Sequence, residues 1–354
     1  MGRRPDRDGP TVLVTGAGAP PGVGIMKALR QSALRPRIVA TDAEPLSVGL
    51  FRADAAYVVP KVAADEALYL DALEEVCVRE RVALVCFGTE VEMRRMAPHV
   101  EALEHRTGAR LVLNSPAAVD AFMDKWKTTC VLRERDLPVP DTVLATDAAA
   151  VAAFLARHPF PLIVKPRHGS GSRNLFTVRA EGELAFLARW VPDPVLQEYL
   201  LPDDEEYTVG VYKSAKRGYV GQIVFRRSLA AGLTYKAEVV RDPEIEAVCR
   251  RVVESFDVWG PVNVQLRKTA NGVRIFEINL RFSSSVPMRA HFGFNEPELC
   301  LRDVVLGEAI ARPAIRPGVA LRYWDEVYLA PEERSRPHAE ARSGARRGTK
   351  LDDF

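Results

Sequence analysis

The sequence predicts an α/β domain on a parallel sheet, followed by an α+β module with antiparallel sheets. Short β-branched runs alternate with helically spaced stretches over the first third of the chain. After residue 115, long strand-like runs follow one another across short turns. The length, 354 residues with 47% hydrophobic content, accommodates two to three domains with sizeable cores.

Runs at 11–15 (TVLVT), 37–42 (RIVATD), 55–59 (AAYVV), 82–87 (VALVCF) and 110–113 (RLVL) read as strands buried on both faces. Helical spacing at 24–32, 65–80 and 92–106 joins them into a right-handed parallel sheet. The break at Asn114-Ser115-Pro116 closes this domain, 11–115. Helices are then expected at 118–135 and 148–157. Strands follow at 162–165, 175–178, 195–200, 206–212, 219–226, 234–239, 262–268 and 273–280, with helices at 243–256 and 296–309. Residues 1–10 are expected to be flexible, and the Arg-, Ser- and Gly-rich tail 329–354 to be disordered.

A net charge of +2 supplies no concentrated basic surface, so a nucleic-acid partner is not expected. No apolar run approaches the roughly 20 residues of a membrane span, and the N-terminus lacks the apolar core of a signal peptide. A cytoplasmic protein without a membrane partner is the expectation. The five scattered cysteines read as small buried hydrophobes.

The loop from Gly16 to Gly24 (GAGAPPGVG) follows a strand and opens a helix, and Asp42 ends the next strand. That is the setting of a dinucleotide fingerprint, but Pro21 stands at the third glycine position. An NAD(P)-dependent oxidoreductase therefore stays as a remote alternative. Otherwise the loop is a tight turn whose amides face a substrate, with Gly18 and Gly22 as candidates.

Four later segments carry a more specific signal. Asp124-Lys125 precedes Leu137-Pro138-Val139-Pro140, which has to leave the helix. The strand ending in Lys165 runs into Gly169-Ser170-Gly171-Ser172, where amides and hydroxyls suit phosphate oxygens and the lysine adds a point charge. Gln197-Glu198-Tyr199-Leu200 ends a strand in a polar hinge suited to an adenine edge, and Glu206 follows for ribose hydroxyls. Asn263 and Gln265 on one strand, and Glu277 and Asn279 on the next, share faces because residues two apart point together. An oxygen set without histidine or cysteine suits Mg²⁺. A three-residue loop 270–272 with a bulge is expected, because it pairs Glu277 with Gln265, whereas a two-residue 271–272 turn would place Glu277 opposite Leu266.

In this order the segments resemble the ATP-grasp superfamily over 11–328, with closest likeness to the carbamoyl-phosphate synthetase large subunit and stand-alone carboxylate–amine ligases such as the pyrrolysine-pathway ligase. The resemblance implies a preATP-grasp domain over 11–115 and an ATP-grasp domain over 116–328, with a small lid subdomain at about 140–197. It implies that Lys125 and Lys165 contact the nucleotide phosphates, that residues 169–172 cover them, and that residues 198–200 form the adenine hinge. Glu206 would hold the ribose. Glu277 and Asn279 would bind Mg²⁺ with support from Gln265, two ions being expected and Mn²⁺ a substitute. Arg281 would neutralise the transferring phosphoryl group. Ser283, Ser284 and Ser285 would lie towards substrate, with Arg227, Lys236 and Arg289 as further candidates for an acidic group. The implied activity is an ATP-dependent ligase joining a small-molecule carboxylate to an amine, in a possible homodimer. A small-molecule kinase and a nucleotide-binding regulator without turnover are the alternatives.

Overall fold

The computed structural model describes residues 9–329 apart from 170 and 172, together with the backbone of residues 346–347. The expectations for residues 1–8, for Ser170 and Ser172, and for the rest of the tail lie outside the described residues.

The first sheet holds β1 (Thr11–Val14), β2 (Arg37–Asp42), β3 (Ala55–Val58), β4 (Leu84–Cys86) and β5 (Arg110–Val112), parallel in the order 3-2-1-4-5. The helix α1 (Pro20–Arg30) starts four residues before the expected 24, because Pro20 and Pro21 occupy a first turn whose amides have no intrahelical partner to lose. It is followed by α2 (Glu66–Glu80). The single helix expected at 92–106 is two, α3 (Glu90–Met96) and α4 (Val100–Thr107), divided by a tight turn containing Pro98. Thr89 sets the earlier start by accepting the Glu92 amide. At the sheet edge Arg346–Arg347 pairs antiparallel with β3, where composition predicts disorder.

The helix expected over 118–135 is likewise interrupted. It divides into α5 (Pro116–Phe122) and α6 (Lys125–Arg133) because Asp124 caps the second by accepting the amides of Trp126 and Lys127. A four-stranded antiparallel sheet follows, of β6 (Thr142–Leu144), β7 (Leu162–Pro166), β8 (Phe176–Val178) and β9 (Pro194–Glu198), in the order 6-9-7-8. Helices α7 (Ala148–Leu155) and α8 (Glu181–Trp190) cover it, burying Phe154, Leu162, Val164, Leu184 and Leu196. Neither β6 nor α8 is evident in the sequence pattern.

The large antiparallel sheet contains β10 (Glu206–Ser214), β11 (Gly218–Ala230), β12 (Leu233–Val240), β13 (Gly260–Thr269), β14 (Gly272–Asn279) and β15 (Val319–Leu321), in the order 14-13-10-11-12-15. The helix α9 (Pro243–Ser255) packs its apolar stripe on this sheet. Residues 228–230, expected in a loop, extend β11, and the turn is Ala231-Gly232. The β13–β14 loop corrects the expected three-residue connection. Thr269 pairs with Gly272 around a two-residue turn, and Phe276 is the extra residue between the Leu266–Ile275 and Gln265–Glu277 pairs. The bulge thus sits inside the strand, and from there on the register puts Asn279 opposite Asn263.

Beyond β14 lie α10 (Val286–His291) and α11 (Glu296–Cys300), the latter running into a π-helical turn at Leu301–Val305 in place of the α-helix expected to 309. One apolar cluster joins Val12, Ile25 and Leu29 of the first sheet and α1 to Phe225, Val286 and Leu301, so the first sheet and the large one are packed as one body. Asn114 ties the linker to Trp259 through two hydrogen bonds, at 2.8 and 3.0 Å. Among the described residues, no helix is long and apolar enough to cross a membrane.

Candidate active site

Strand alternation buries Leu162 and Val164 of β7 in the small sheet's core, and so sends Lys165 to the opposite face. There Lys165 Nζ donates to Gln197 Oε1 at 3.0 Å, and Gln197 Nε2 donates to Thr142 Oγ1 at 2.8 Å. Lys165 is only 4% exposed, and burial followed by repulsion from Lys125 lowers its pKa to about 8 despite the opposing Glu277. Lys125, at the first position of α6, donates through Nζ to the Gly169 carbonyl at 2.6 Å, linking the α6 start to the glycine loop. Asp124 anchors the same corner by pairing with Arg167 at 2.5 Å.

The bulge at Phe276 brings the oxygen set together. Glu277 Oε1 accepts from Gln265 Nε2 at 2.9 Å and from Asn279 Nδ2 at 2.8 Å. Burial opposes ionisation of Glu277, yet Lys125, the Asn279 hydrogen bond, Arg281 and Lys165 together hold its pKa below the ordinary glutamate value. The set is one carboxylate and two carboxamides, and among the described residues no group of three His, Cys, Asp or Glu side chains gathers elsewhere to hold a metal. Turning the Asn279 amide about its last torsion puts its oxygen beside Glu277, while Gln265 Oε1 stays with Arg227, which leaves a carboxylate and a carboxamide oxygen as donors of the kind Mg²⁺ takes. The residues present therefore fit that ion.

Arg227 reaches Glu206 Oε1 at 2.9 Å and Gln265 Oε1 at 2.5 Å, while Arg267 takes Glu206 Oε2 at 2.7 Å. Glu206, the expected ribose ligand, is thus held between two arginines. Arg281 donates through Nε and Nη2 to Glu90 Oε1, at 3.0 and 2.6 Å, across the domain junction. Of the residues expected to form the hinge, Glu198 accepts the Asp141 amide at 2.7 Å, Tyr199 donates to Asp203 and the Leu200 carbonyl accepts from Arg267 at 2.6 Å.

Three cavities that share wall residues lie among these groups, although residues 198–200, expected to meet the adenine, line none of them. One of 100 Å³ lies among Lys125, Lys165, Gly169, Glu206, Phe276 and Glu277. A second, of 260 Å³, shares Arg173, Arg227, Gln265 and Glu277 with it and extends to Gly171, Arg281, Ser283, Ser284 and Ser285. A third, of 340 Å³, meets the second at Pro20, Leu233 and Ser284, and Gly18 is in its wall. The turn at Gly232 closes on the glycine loop so tightly that a Cβ there would lie 2.3 Å from the Gly171 carbonyl oxygen.

Three candidates are not where the sequence places them. Arg289 is fully buried and pairs with Glu296 at 2.9 Å, with Asn263 and Thr208 taking its other nitrogen, so its carboxylate partner is internal. Gly22 is also buried; a Cβ there would meet the Gly16 carbonyl oxygen at 2.3 Å, so its role is close helix–strand approach. Lys236 is exposed on β12 opposite Ser228 and lines none of the three cavities. Asp42 accepts the Gly18 amide at 2.8 Å, and the helix start that would meet a pyrophosphate carries Pro20 and Pro21, which lack N–H groups. The dinucleotide reading loses its main donors.

Glu90, Thr142, Arg173 and Phe276 belong to the site and were not singled out by sequence. Glu90 had a signal, since Thr89-x-x-Glu92 is a capping box that starts a helix at residue 90. The others are brought in by strand pairing and by the bulge.

Comparison with known proteins is consistent with this geometry. Residues 191–327 match the family described as ATP-grasp in the biosynthetic pathway with Ter operon, and residues 12–108 match the PylC-like N-terminal domain. The carbamoyl phosphate synthase large chain of Halobacterium salinarum is 25% identical over 94% of this chain and 34% of its own length. That of Rubrobacter xylanophilus is 28% identical over 71% of this chain and 25% of its own length. The chain therefore spans about a third or less of these curated relatives. Among solved structures, N5-carboxyaminoimidazole synthetase from Staphylococcus aureus complexed with ADP superposes with a TM-score of 0.70 at 16% identity, covering 89% of this chain and 82% of that one. The biotin carboxylase domain of Hydrogenobacter thermophilus 2-oxoglutarate carboxylase, in complex with MgADP and bicarbonate, gives 0.67 at 14% identity over 87% and 73%. These likenesses establish the fold.

Proposed function

The chain belongs to the ATP-grasp superfamily, and from that premise we propose that it is an ATP-dependent carboxylate–amine ligase working through an acyl phosphate. The observation that carries this reading is that Lys125 and Lys165 line one cavity and Arg281 a second, with Gln265 and Glu277 in the wall of both and Asn279 hydrogen-bonded to Glu277. The nucleotide complexes of the structural neighbours support ATP as the partner of these cavities.

A carboxylate is a poor acyl donor because its leaving group would be oxide. In the proposed reaction a carboxylate oxygen attacks the γ-phosphorus, an O–P bond forms, and ADP departs with the electron pair of the broken bond. The amine lone pair then forms the C–N bond, phosphate leaves with the C–O electrons, and the nitrogen gives up its proton. Such transfers ask the protein mainly for alignment and charge neutralisation, so no protein nucleophile is required. Lys125 and Lys165 would hold the phosphates beneath the glycine loop, and Arg281 would take the charge growing on the transferred group. Residues 198–200 would receive the adenine, and Glu206 keeps one lone pair, on Oε2, for a ribose hydroxyl beside its arginines. Glu277 and Asn279, with Gln265, would hold Mg²⁺, or Mn²⁺ in its place, whose chemistry here is neutralisation of phosphate charge, with two ions as the proposed number.

The test is a phosphate-release screen of amino acids and small carboxylates, singly and in pairs, with mass spectrometry of the products. The ligase reading expects release that needs both partners, a product lighter by one water than their sum, and one ¹⁸O moving from labelled carboxylate into phosphate. Release with the acid alone and a hydroxylamine-trappable product would instead identify a kinase.

A further inference from the structure

The 340 Å³ cavity takes no part in the phosphoryl chemistry above, yet it is the largest of the three and shares Pro20, Leu233 and Ser284 as wall residues with the cavity that holds Arg281. Its size is within the range of small-molecule sites. One wall is α1 with Val23 and Lys27, a second is Met288 of α10, and the third is the segment 321–327 that leaves β15 and runs across the cleft. That segment keeps large aromatic groups in solvent: Tyr323 is 79% exposed and Trp324 71%. Exposed aromatic surface beside an apolar cavity marks a place where a ligand buries it.

Among the described residues, the charged side chains in this wall are Lys27, Arg52, Arg322 and Asp325, and Arg322 is the one that reaches Ser284. Arg322 is half-buried, donates to the Ser284 carbonyl at 2.6 Å, and has no carboxylate in ion-pair range among the described residues. Burial lowers its pKa with no acid opposing the shift. Ser284 also lines the cavity of Arg281 and Glu277, so Arg322 stands at the junction of the apolar space and the phosphoryl-transfer space.

We propose that this cavity selects the acid substrate: a carboxylic acid with an apolar body of about aromatic size, its carboxylate on Arg322 beside Ser284 and its body against Tyr323, Trp324 and Met288. The assignment rests on the ligase reading and specifies its substrate class. A short or strongly polar acid would leave the aromatic wall wet, whereas an aryl acid covers it and still presents its carboxylate towards Arg281.

Binding is tested without turnover by titrating the full chain with phenylacetate, indole-3-acetate and L-phenylalanine, with acetate and glycine as controls, following tryptophan fluorescence and calorimetric heat. At least one aryl acid is expected to bind ten or more times tighter than either control, and Trp324→Phe removes most of the fluorescence change but not the heat. Arg322→Gln weakens that binding at least tenfold, Arg322→Lys recovers part of it, and both keep the rise in Tm caused by Mg·ATP. Equal binding of acetate or glycine, absence of aryl-acid binding, or unchanged affinity in Arg322→Gln overturns the proposal while an intact Mg·ATP response leaves the ligase reading standing. A wild-type chain with no Mg·ATP response overturns both.

Discussion

Two neighbouring side chains of β13 belong to charged clusters of opposite kinds. Asn263 Oδ1 accepts from Arg289 at 2.5 Å, and Arg289 is neutralised by Glu296 at 2.9 Å with both side chains fully buried. Gln265, two residues on and on the same face, accepts from Arg227 and donates to Glu277, which lines a cavity together with Lys125, Lys165 and Glu206. The first cluster sets its one cation against its one carboxylate in the core, and only Asn263 reaches the wall of the 260 Å³ cavity. The second gathers cations that its own carboxylates do not balance, around open volume. The contrast separates a buried charge that holds the fold from one that waits for an anion, and it explains why Arg289, chemically a good carboxylate receptor, does not act as one.

The largest effect expected from breaking this contrast is on the closed cluster. Arg289→Met leaves Glu296 buried and unpaired and should cost about 3–5 kcal/mol of stability, measured by denaturant unfolding. Adding Glu296→Leu should recover most of that loss. Next, Glu277→Ala or Arg281→Ala removes one of the proposed electrostatic partners of the phosphoryl group. A fall of about 10²–10³ in ATP-dependent turnover is expected, with the circular dichroism spectrum of the folded chain retained.

The open cluster should respond to loss of charge in the opposite sense from the closed one. The folded pKa of Lys165, about 8, lies below the unfolded value, so its protonated form costs stability at neutral pH. Wild-type stability should therefore rise as pH climbs from about 8 towards 10.5, and Lys165→Met should lack that rise. The variant should also be more stable at pH 7, on the order of 1–3 kcal/mol, while losing turnover. The smallest effect concerns affinity. Deprotonation of Lys165 should weaken Mg·ATP binding by up to about tenfold between pH 7 and 9, and Lys165→Arg should flatten that profile.

Much of this contrast was legible in the sequence because it rests on alternation. A strand that buries Leu162 and Val164 must turn Lys165 the other way, and Glu277 must share a face with Asn279. The pairing of Glu277 with Gln265 was legible as well, but its means was not. A bulge at Phe276 leaves no local trace, because what selects it is the fit of β14 to β13 across the sheet. Asp124 and Pro98 broke helices whose apolar spacing continues through them, since a cap or a proline outweighs periodicity. Arg289 and Arg322 could not be told apart by sequence. One meets Glu296 seven residues away inside the core, and the other crosses from the last strand to the Ser284 carbonyl.

The central claim is that the unbalanced cluster is a seat for Mg·ATP. Calorimetric titration of the wild-type chain and of Lys165→Met with Mg·ATP and with NAD(P)⁺ tests it most directly. The account predicts saturable, Mg²⁺-dependent ATP binding in the wild type, a loss of at least tenfold in Lys165→Met, and no heat from NAD(P)⁺. Binding of NAD(P)⁺ alone, or ATP affinity unchanged in a more stable Lys165→Met, would contradict it.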